Sequence, residues 1–182
     1  MFIGHLPAGY LIVEPMLDRA GAGAESRRAL LRLGLAASVL PDLDLLWFYL
    51  VDDRRQVHHA YLPHLPGFWL GVFAAAVLLL LAIRARRSAW LALGVAAIGI
   101  LSHLLLDTVA GGIRWLWPAS DVELALVEVT ARYQPWYLNF VLHWTFALEL
   151  GLVLAAWWMW RHRSRTSALP SSRRDAASSS RS

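Results

Sequence analysis

His103 and Asp107 are the two residues whose types and spacing most directly suggest chemistry. They lie four residues apart in the stretch SHLLLDTVAGGIRWLWP, residues 102–118, so a helix there places both side chains on one face. Imidazole nitrogen and carboxylate oxygen are both ligands for zinc and similar divalent cations. The pair predicts two ligands, or a histidine oriented by its carboxylate; an intrahelical hydrogen bond without metal is the alternative.

The sequence around this pair is too apolar for an ordinary soluble domain. Of its 182 residues, 58% are hydrophobic and 16% are charged, and none is cysteine; the mean hydropathy is +0.46. Any metal site must therefore use nitrogen and oxygen ligands. The composition predicts an integral membrane protein. The net charge of +4 does not indicate nucleic acid, because the arginines lie beside apolar segments.

Four apolar segments approach the roughly 17–25 residues that a membrane-spanning helix needs. We therefore predict an all-α, polytopic integral membrane helical bundle of about four to five transmembrane helices. Residues 1–160 form the membrane-embedded domain, and the Ser- and Arg-rich residues 161–182 predict a disordered cytoplasmic tail. The long segments cover 29–51, 67–83, 89–110 and 136–160, and a shorter one covers 2–13.

Arginine placement predicts the orientation of these segments. Arginines precede the first long segment, link the second and third, and follow the fourth, and such clusters mark the cytoplasmic side. This predicts a plasma (inner) membrane protein with its C-terminus in the cytoplasm. The N-terminal segment is left open: a helix that crosses the membrane gives five spans, and one that lies in the interface gives four.

On this topology the unusual polar residues gather toward the outer side. An ionised carboxylate at the centre of a membrane helix costs about 2.5–3.5 kcal/mol, so each aspartate needs a partner, a water-filled cavity or a metal. A divalent metal, most simply zinc, accounts for histidine and aspartate together. The residues on that side are Asp42, Asp44, His58, His59, His64, His103, Asp107 and His143, joined by His5 if the first helix runs inward.

Each of these residues also has a structural interpretation. Pro41 predicts a helix break that brings both Asp42 and Asp44 inward, and helix capping by the first aspartate is the alternative. The histidines of HHAYLPHLP, residues 58–66, are either ligands or solvated loop side chains. Structural roles are equally open for His5, His143 and Glu149.

A series of motifs spreads over the first two thirds of the chain. GH at residues 4–5 is followed by PDLD at 41–44, a histidine pair, and SHLLLD with GG and WP after it. This order resembles the YdjM-like family of membrane-bound metal-dependent hydrolases. The resemblance implies a distant relation to the all-helical, zinc-dependent phospholipase C and single-strand nuclease superfamily. It implies that the metal-binding positions are His5, Asp42, Asp44, His59, His64, His103 and Asp107.

The function that this resemblance implies is a metal-dependent hydrolase, and it implies no particular substrate. The predicted position of the site at the outer membrane face favours a phosphodiester or a lipid-linked substrate. The metal would lower the pKa of a bound water toward about 7 for attack on the ester. The candidate catalytic base is Asp44, or whichever of Asp42 and Asp44 does not bind the metal directly. Arg55 and Arg114 are the loop arginines nearest to the predicted site, and either could hold a phosphate group of the substrate. The expected partners are the lipid bilayer and a small-molecule or lipid substrate, and no nucleic acid.

Two other classes of function use the same residues. A cation or proton transporter needs polar residues that continue to the inner side, and segment 67–83 has almost none. The third hypothesis is that this is a structural or stress-response membrane protein with a vestigial site. It is favoured by the middle motif, which keeps His59 and His64 but lacks the Arg, Thr and Ser of the family pattern.

Overall fold

The described part of the chain is built of helices. The computed structural model describes residues 3–53, 58–135 and 137–167, and within them the strand-like pairing is one isolated bridge, between Ile113 and Leu124. The predicted all-α class is confirmed. The α-helices are α1 (His5–Arg19), α2 (Ala24–Val39), α3 (Asp44–Leu50), α4 (Pro66–Ala82), α5 (Arg87–Ala110), α6 (Leu138–Val141) and α7 (Thr145–Ser167), and 3-10 helices lie at Pro41–Leu43, His58–Ala60 and Leu62–His64.

The first long apolar segment is two helices and not one. α2 ends at Val39, a 3-10 helix follows, and α3 begins at Asp44. Pro41 has no N–H to donate and its ring clashes with a preceding α-helical turn, so an α-helix does not continue through it. The predicted break is confirmed. It leaves the last carbonyls of α2 without partners inside the helix.

One helix among the described residues is long and apolar enough to cross a membrane. This is α5, with 24 residues and a mean hydropathy of 2.1. α4 is apolar but has 17 residues, and the fourth predicted segment is divided into α6 and α7. The count of four to five spans therefore stays a prediction.

The helices α1, α2 and α5 pack together at the centre of the fold. Val13 of α1 is buried with Leu30 of α2 and Val95 of α5. Farther along, Gly99 lets two backbones approach closely, because a Cβ there would lie 2.7 Å from the carbonyl oxygen of Gly34. Small residues at such crossings are typical of membrane helices, which associate mainly through close packing. This contact fixes the register of α5 against α2.

One end of the bundle carries the arginines. Arg27 of α2 and Arg163 of α7 both donate to the carboxylate of Asp18 near the end of α1, the first of them at 2.7 Å. At the start of α5, the Arg87 guanidinium lies 3.5 Å from the carbonyl oxygen of Ala20. The three arginine regions of the sequence therefore meet at the same end of the bundle.

The helix α7 extends past the domain boundary predicted from the sequence. It continues through residues 161–167, which the composition assigns to a disordered tail. Arg163 of this extension pairs with Asp18 of α1, which gives the extra turns a tertiary contact. The remainder of the predicted tail, 168–182, lies outside the described residues and stays a prediction.

Candidate metal centre

The end of the bundle opposite the arginines gathers histidine and aspartate side chains. They come from the start of α1, the break after α2, the start of α3, the two 3-10 helices before α4, and the last turns of α5. All seven positions predicted from the sequence meet there. In chain order they are His5, Asp42, Asp44, His59, His64, His103 and Asp107.

Asp107 is buried at the centre of this cluster. Its Oδ1 lies 3.1 Å from Nε2 of His5, and its Oδ2 lies 3.0 Å from Nε2 of His103. The Nε2 atoms of His64 and His59 are 3.5 Å and 3.7 Å from the same Oδ2. One carboxylate is thus shared among four imidazoles, which is more than an intrahelical hydrogen bond provides.

The backbone of α2 orients the His103 ring. Its Nδ1 lies 2.9 Å from the carbonyl oxygen of Ser38, in the last turn before the break at Pro41. A carbonyl oxygen accepts hydrogen bonds and does not donate them, so Nδ1 carries the hydrogen. In the neutral ring, Nε2 therefore presents its lone pair to Asp107 and the rest of the cluster.

Asp44 orients the His64 ring in the same way. Its Oδ2 lies 2.7 Å from Nδ1 of His64, and both side chains are buried. The carboxylate accepts the Nδ1 hydrogen, and Nε2 of His64 is left to face the cluster. A carboxylate behind an imidazole is the usual arrangement of a metal-ligating histidine.

These two imidazoles point acceptor atoms at each other. Nε2 of His103 and Nε2 of His64 are 3.3 Å apart, and both face the carboxylate of Asp107. When both rings are neutral, the two Nε2 lone pairs and the carboxylate oxygens of Asp107 repel one another. The arrangement therefore requires a positive charge between them, either a metal cation or a proton. Imidazole nitrogen and carboxylate oxygen are together a donor set for zinc and related divalent ions. The residues present therefore fit a metal.

The possible ligand atoms fall into two groups, each with its atoms within 4.8 Å of one another. Asp107 belongs to both groups. Asp44 stands outside both, because its Oδ2 is engaged behind His64. The first group is His5, Asp42, His103 and Asp107, and the second is His59, His64 and Asp107.

His59 packs against the end of α5. A Cβ on Gly111 would lie 2.2 Å from Cε1 of the His59 ring, so the ring occupies the space that a side chain would take. Tyr61 ties the same loop to the end of α3 by donating to Oδ2 of Asp52 at 2.5 Å. Partial burial and the Asp52 carboxylate raise the pKa of Tyr61 to about 12, so the phenol keeps the proton that it donates.

Two of the candidate ligands are accessible from outside the cluster. The side chains of Asp42 and His59 are 29% and 17% exposed, whereas the other candidate ligands are buried. Water or a substrate therefore meets Asp42 and His59 first.

Other residues named from the sequence take different positions. His143 lies between α6 and α7, outside the cluster, with its Nδ1 2.9 Å from a threonine hydroxyl. Arg114 donates to Oε1 of Glu123 through both Nε and an amino nitrogen, so its guanidinium is held in an ion pair. Arg55 and the side chain of His58 lie outside the described residues.

Glu149 has a role that the spacing of the sequence does not reveal. It is buried, and its Oε2 accepts the backbone N–H of Gly4 at 2.9 Å and also that of Ile3. The carboxylate therefore holds the chain immediately before His5. The signal for this role is that Glu149 is the single acidic residue in the apolar segment 136–160.

The fold and the site together define an all-helical protein with a buried histidine and aspartate cluster at one end. The sequence matches the family model described as YdjM inner membrane protein over residues 1–169, and the chain belongs to that family. No curated protein and no solved structure matches it. The family part of the sequence-based resemblance is confirmed, and the relation to metal-dependent hydrolases stays a prediction.

Proposed function

We propose that this protein is a membrane-bound, metal-dependent hydrolase that acts on a phosphodiester or lipid-linked substrate at the outer face of the inner membrane. The observation that carries the proposal is the pair of Nε2 atoms of His103 and His64, 3.3 Å apart. Both rings have an acceptor behind Nδ1, so both lone pairs converge on Asp107. Zinc is the ion that this donor set favours.

The residues divide into ligands and supporting groups. The group that contains His5 would hold one ion and the group that contains His59 would hold a second, and Asp107 belongs to both groups. Divalent ions in these places supply Lewis-acid chemistry, polarising a phosphoryl oxygen and bringing the pKa of a water ligand toward about 7. Ser38 and Asp44 hold the tautomers of the two buried histidines.

The structure changes the residue that we propose as the base. The sequence favours Asp44, but this carboxylate is buried behind His64. Asp42 is the exposed carboxylate of the cluster, so it is the one that meets the attacking water. Through a carboxylate oxygen that is not bound to metal, Asp42 would take a proton from water while the water oxygen adds to phosphorus. One phosphorus–oxygen ester bond then breaks, and Asp42 returns the proton to the leaving oxygen, which departs as an alcohol.

The distribution of charge supports the predicted orientation. The arginines that meet near Asp18 favour the cytoplasmic side of the membrane for that end of the bundle. The C-terminal end of α7 lies at the same end and is therefore also cytoplasmic. His5 is the first residue of α1, and Asp18 lies one residue before its end. The step of 13 residues from one to the other, at about 1.5 Å of rise each, separates them by roughly 20 Å. The metal centre then faces the outer side, and the partners are the bilayer and an ester in or near it.

A transporter that uses the same residues is disfavoured by the interior of α5. Between the arginine end and His103, the buried residues of this helix are Val95, Gly99, Ile100 and Ser102. Apolar packing over this length gives no chain of titratable groups along the described part of α5. The remaining alternative, a membrane protein with a vestigial site, predicts that the purified protein holds no metal.

Elemental analysis of the detergent-purified protein tests the proposal. We expect about two zinc equivalents in the wild type, one in His5→Ala or His59→Ala, and none in Asp107→Ala, because Asp107 serves both groups. His143→Ala is the matched control, since it removes a histidine outside the cluster and is expected to retain the full complement.

Hydrolysis is measured on the same preparations with bis(4-nitrophenyl) phosphate and with phospholipid in mixed micelles. Turnover that is lost in Asp107→Ala and kept in His143→Ala supports the hydrolase. A wild type that takes up no divalent ion after reloading overturns the metal centre, and a loaded protein without turnover of either ester overturns the hydrolase alone.

A further inference from the structure

The short helix α3, together with Leu43 immediately before it, has an apolar face that the described part of the chain leaves uncovered. Leu43, Leu46, Trp47 and Leu50 are 57%, 61%, 56% and 79% exposed. Their spacing of three and four residues puts them on one face of a helix. We call these four residues the α3 stripe. Soluble monomers rarely leave a continuous apolar surface of this kind in water.

The opposite face of α3 belongs to the metal centre. Asp44, the first residue of the helix, accepts from His64. One turn later, Phe48 contacts the ring of Tyr61, with the ring centroids 6.5 Å apart. The helix therefore stands between the metal centre and the α3 stripe, with one face turned toward each.

The α3 stripe also borders the exposed edge of the centre. Leu43 lies between Asp42 and Asp44 in the chain, and Asp42 is the most exposed of the candidate ligands at 29%. Consecutive Cα atoms are about 3.8 Å apart, so Leu43 of the α3 stripe lies directly beside Asp42. A molecule whose polar group reaches Asp42 therefore also comes close to an apolar surface. That combination fits an amphiphile.

The bilayer is the occupant that the rest of the molecule favours for this face. The chain belongs to an inner membrane protein family, and α4, which follows the histidine loop, exposes Leu70, Leu78 and Leu79. The α3 stripe has no charged side chain, and its Trp47 is of the type enriched at membrane interfaces. A divalent centre attracts the anionic phosphate that a phospholipid carries beside its acyl chains.

We propose that the α3 stripe lies in the lipid of the outer leaflet and that the metal centre takes the phosphate headgroup of a bilayer phospholipid, whose acyl chains stay along α3. The substrate then reaches the centre laterally from the membrane. The headgroup half of this inference rests on the proposed function. The position of the α3 stripe in lipid does not, so the two fail separately.

Site-directed spin labelling tests the position of the stripe, because the chain has no native cysteine. Leu46→Cys and Leu50→Cys carry the label, and Asp121→Cys, in the polar part of the exposed loop, is the matched control. The proteins are reconstituted in vesicles of phosphatidylethanolamine and phosphatidylglycerol. Power saturation then compares collisions with oxygen, which enriches in lipid, and with a water-soluble nickel chelate. Zinc content equal to that of the wild type shows that each variant keeps the centre.

We expect labels at 46 and 50 to collide several-fold more with oxygen than with the nickel chelate, and the label at 121 to show the reverse. Nickel accessibility at 46 and 50 equal to that at 121 overturns the proposal, because the stripe then lies in water. Low accessibility to both reagents also overturns it, since a second protein surface then covers the stripe.

The acyl-chain half is tested with a phosphatidylglycerol that carries a photoreactive diazirine near the end of one chain. Irradiation in nanodiscs, followed by peptide mass spectrometry, is expected to give crosslinks in the peptide that contains α3. Replacing Leu46 and Leu50 together by serine is expected to reduce these crosslinks several-fold while crosslinks to α4 persist. Crosslinks that spare α3 in the wild type overturn this half.

Discussion

At the scale of single residues, the groups behind the histidines decide what the cluster can bind. Ser38 and Asp44 each take the Nδ1 hydrogen of one ring, and this turns both Nε2 lone pairs inward. Without these two acceptors, either ring could rotate or change tautomer and form an ordinary hydrogen bond with Asp107. The supporting groups therefore favour a positive charge between the two rings, which either a metal ion or a proton can supply.

Replacing the acceptor behind His64 tests this view. Asp44→Asn keeps the size of the side chain but removes the charge that makes the imidazole a better ligand, so we expect the zinc affinity to fall by about 10–100-fold. Competition with a chromogenic chelator measures it. Asp121→Asn, on the exposed loop, is the control for loss of one charge. Unchanged affinity in Asp44→Asn, with its melting temperature alone lowered, would assign Asp44 a purely structural role.

At the scale of elements, the interruptions between helices bring half of the candidate ligands. The break at Pro41 supplies Asp42 directly and leaves the Ser38 carbonyl for His103, while the two 3-10 helices supply His59 and His64. Long helices contribute rigidity, since α5 holds His103 and Asp107 at an i,i+4 spacing and packs on α2 at Gly99. The second ligand group depends on how closely the loop fits the end of α5.

A methyl group at Gly111 tests that fit. Gly111→Ala puts a Cβ 2.2 Å from the His59 ring, so the ring must move, and we expect the bound zinc to fall from about two equivalents to one. The first ligand group, which lacks His59, is retained. Gly71→Ala on α4, where a Cβ meets nothing within 4 Å, is the control. Two equivalents in Gly111→Ala would remove His59 from the ligand set.

At the scale of the whole molecule, charge is divided between the two ends. The arginines meet near Asp18, and the histidine and aspartate cluster lies at the opposite end of α1, α2 and α5. This division matches a protein that crosses a membrane with its basic end inside. The ion pairs at the basic end tie α1, α2 and α7 together, so they contribute to stability apart from the metal.

The pH dependence of stability tests the basic end. Hydrogen bonds from Arg163 and Arg27 hold the pKa of Asp18 below its usual value. A lowered folded-state pKa contributes stability that is present above the unfolded value of about 3.9 and is lost as the pH falls through the folded pKa. Asp18 is 45% exposed, and exposed pairs contribute only about 0.2–1 kcal/mol because solvent screens them.

Melting temperatures from pH 7 down to pH 3 are compared for the wild type and Asp18→Asn in the same detergent. We expect the variant to melt at a slightly lower temperature above pH 4, and the two curves to converge below it. Added salt should reduce the difference. A difference that persists unchanged at the lowest pH would contradict the ion-pair origin of the effect.

Local sequence accounts for the helical class and for the break at Pro41, whereas the set of seven clustered residues came from the resemblance of the motifs to a known family. Both have local causes: long apolar segments favour helices, and Pro41 lacks the N–H that a continuing α-helix would use. A carboxylate in an apolar segment likewise needs a partner wherever that segment folds. Asp44 shows how far residue type can predict a role. Its type indicates a ligand or a base, but its role depends on which atom of His64 it faces.

Only the tertiary structure decided how these residues are divided. The two ligand groups, the central place of Asp107, the backbone acceptor for His103, the anchor at Glu149 and the contact of α7 with α1 join residues from different helices. Apart from the neighbouring pairs His103 with Asp107 and His59 with His64, these partners lie tens of residues apart or more, and their identity depends on the register at which α1, α2, α5 and α7 pack. Local spacing carries no information about that register, because small residues such as Gly34 and Gly99 permit a close approach without specifying which helix approaches.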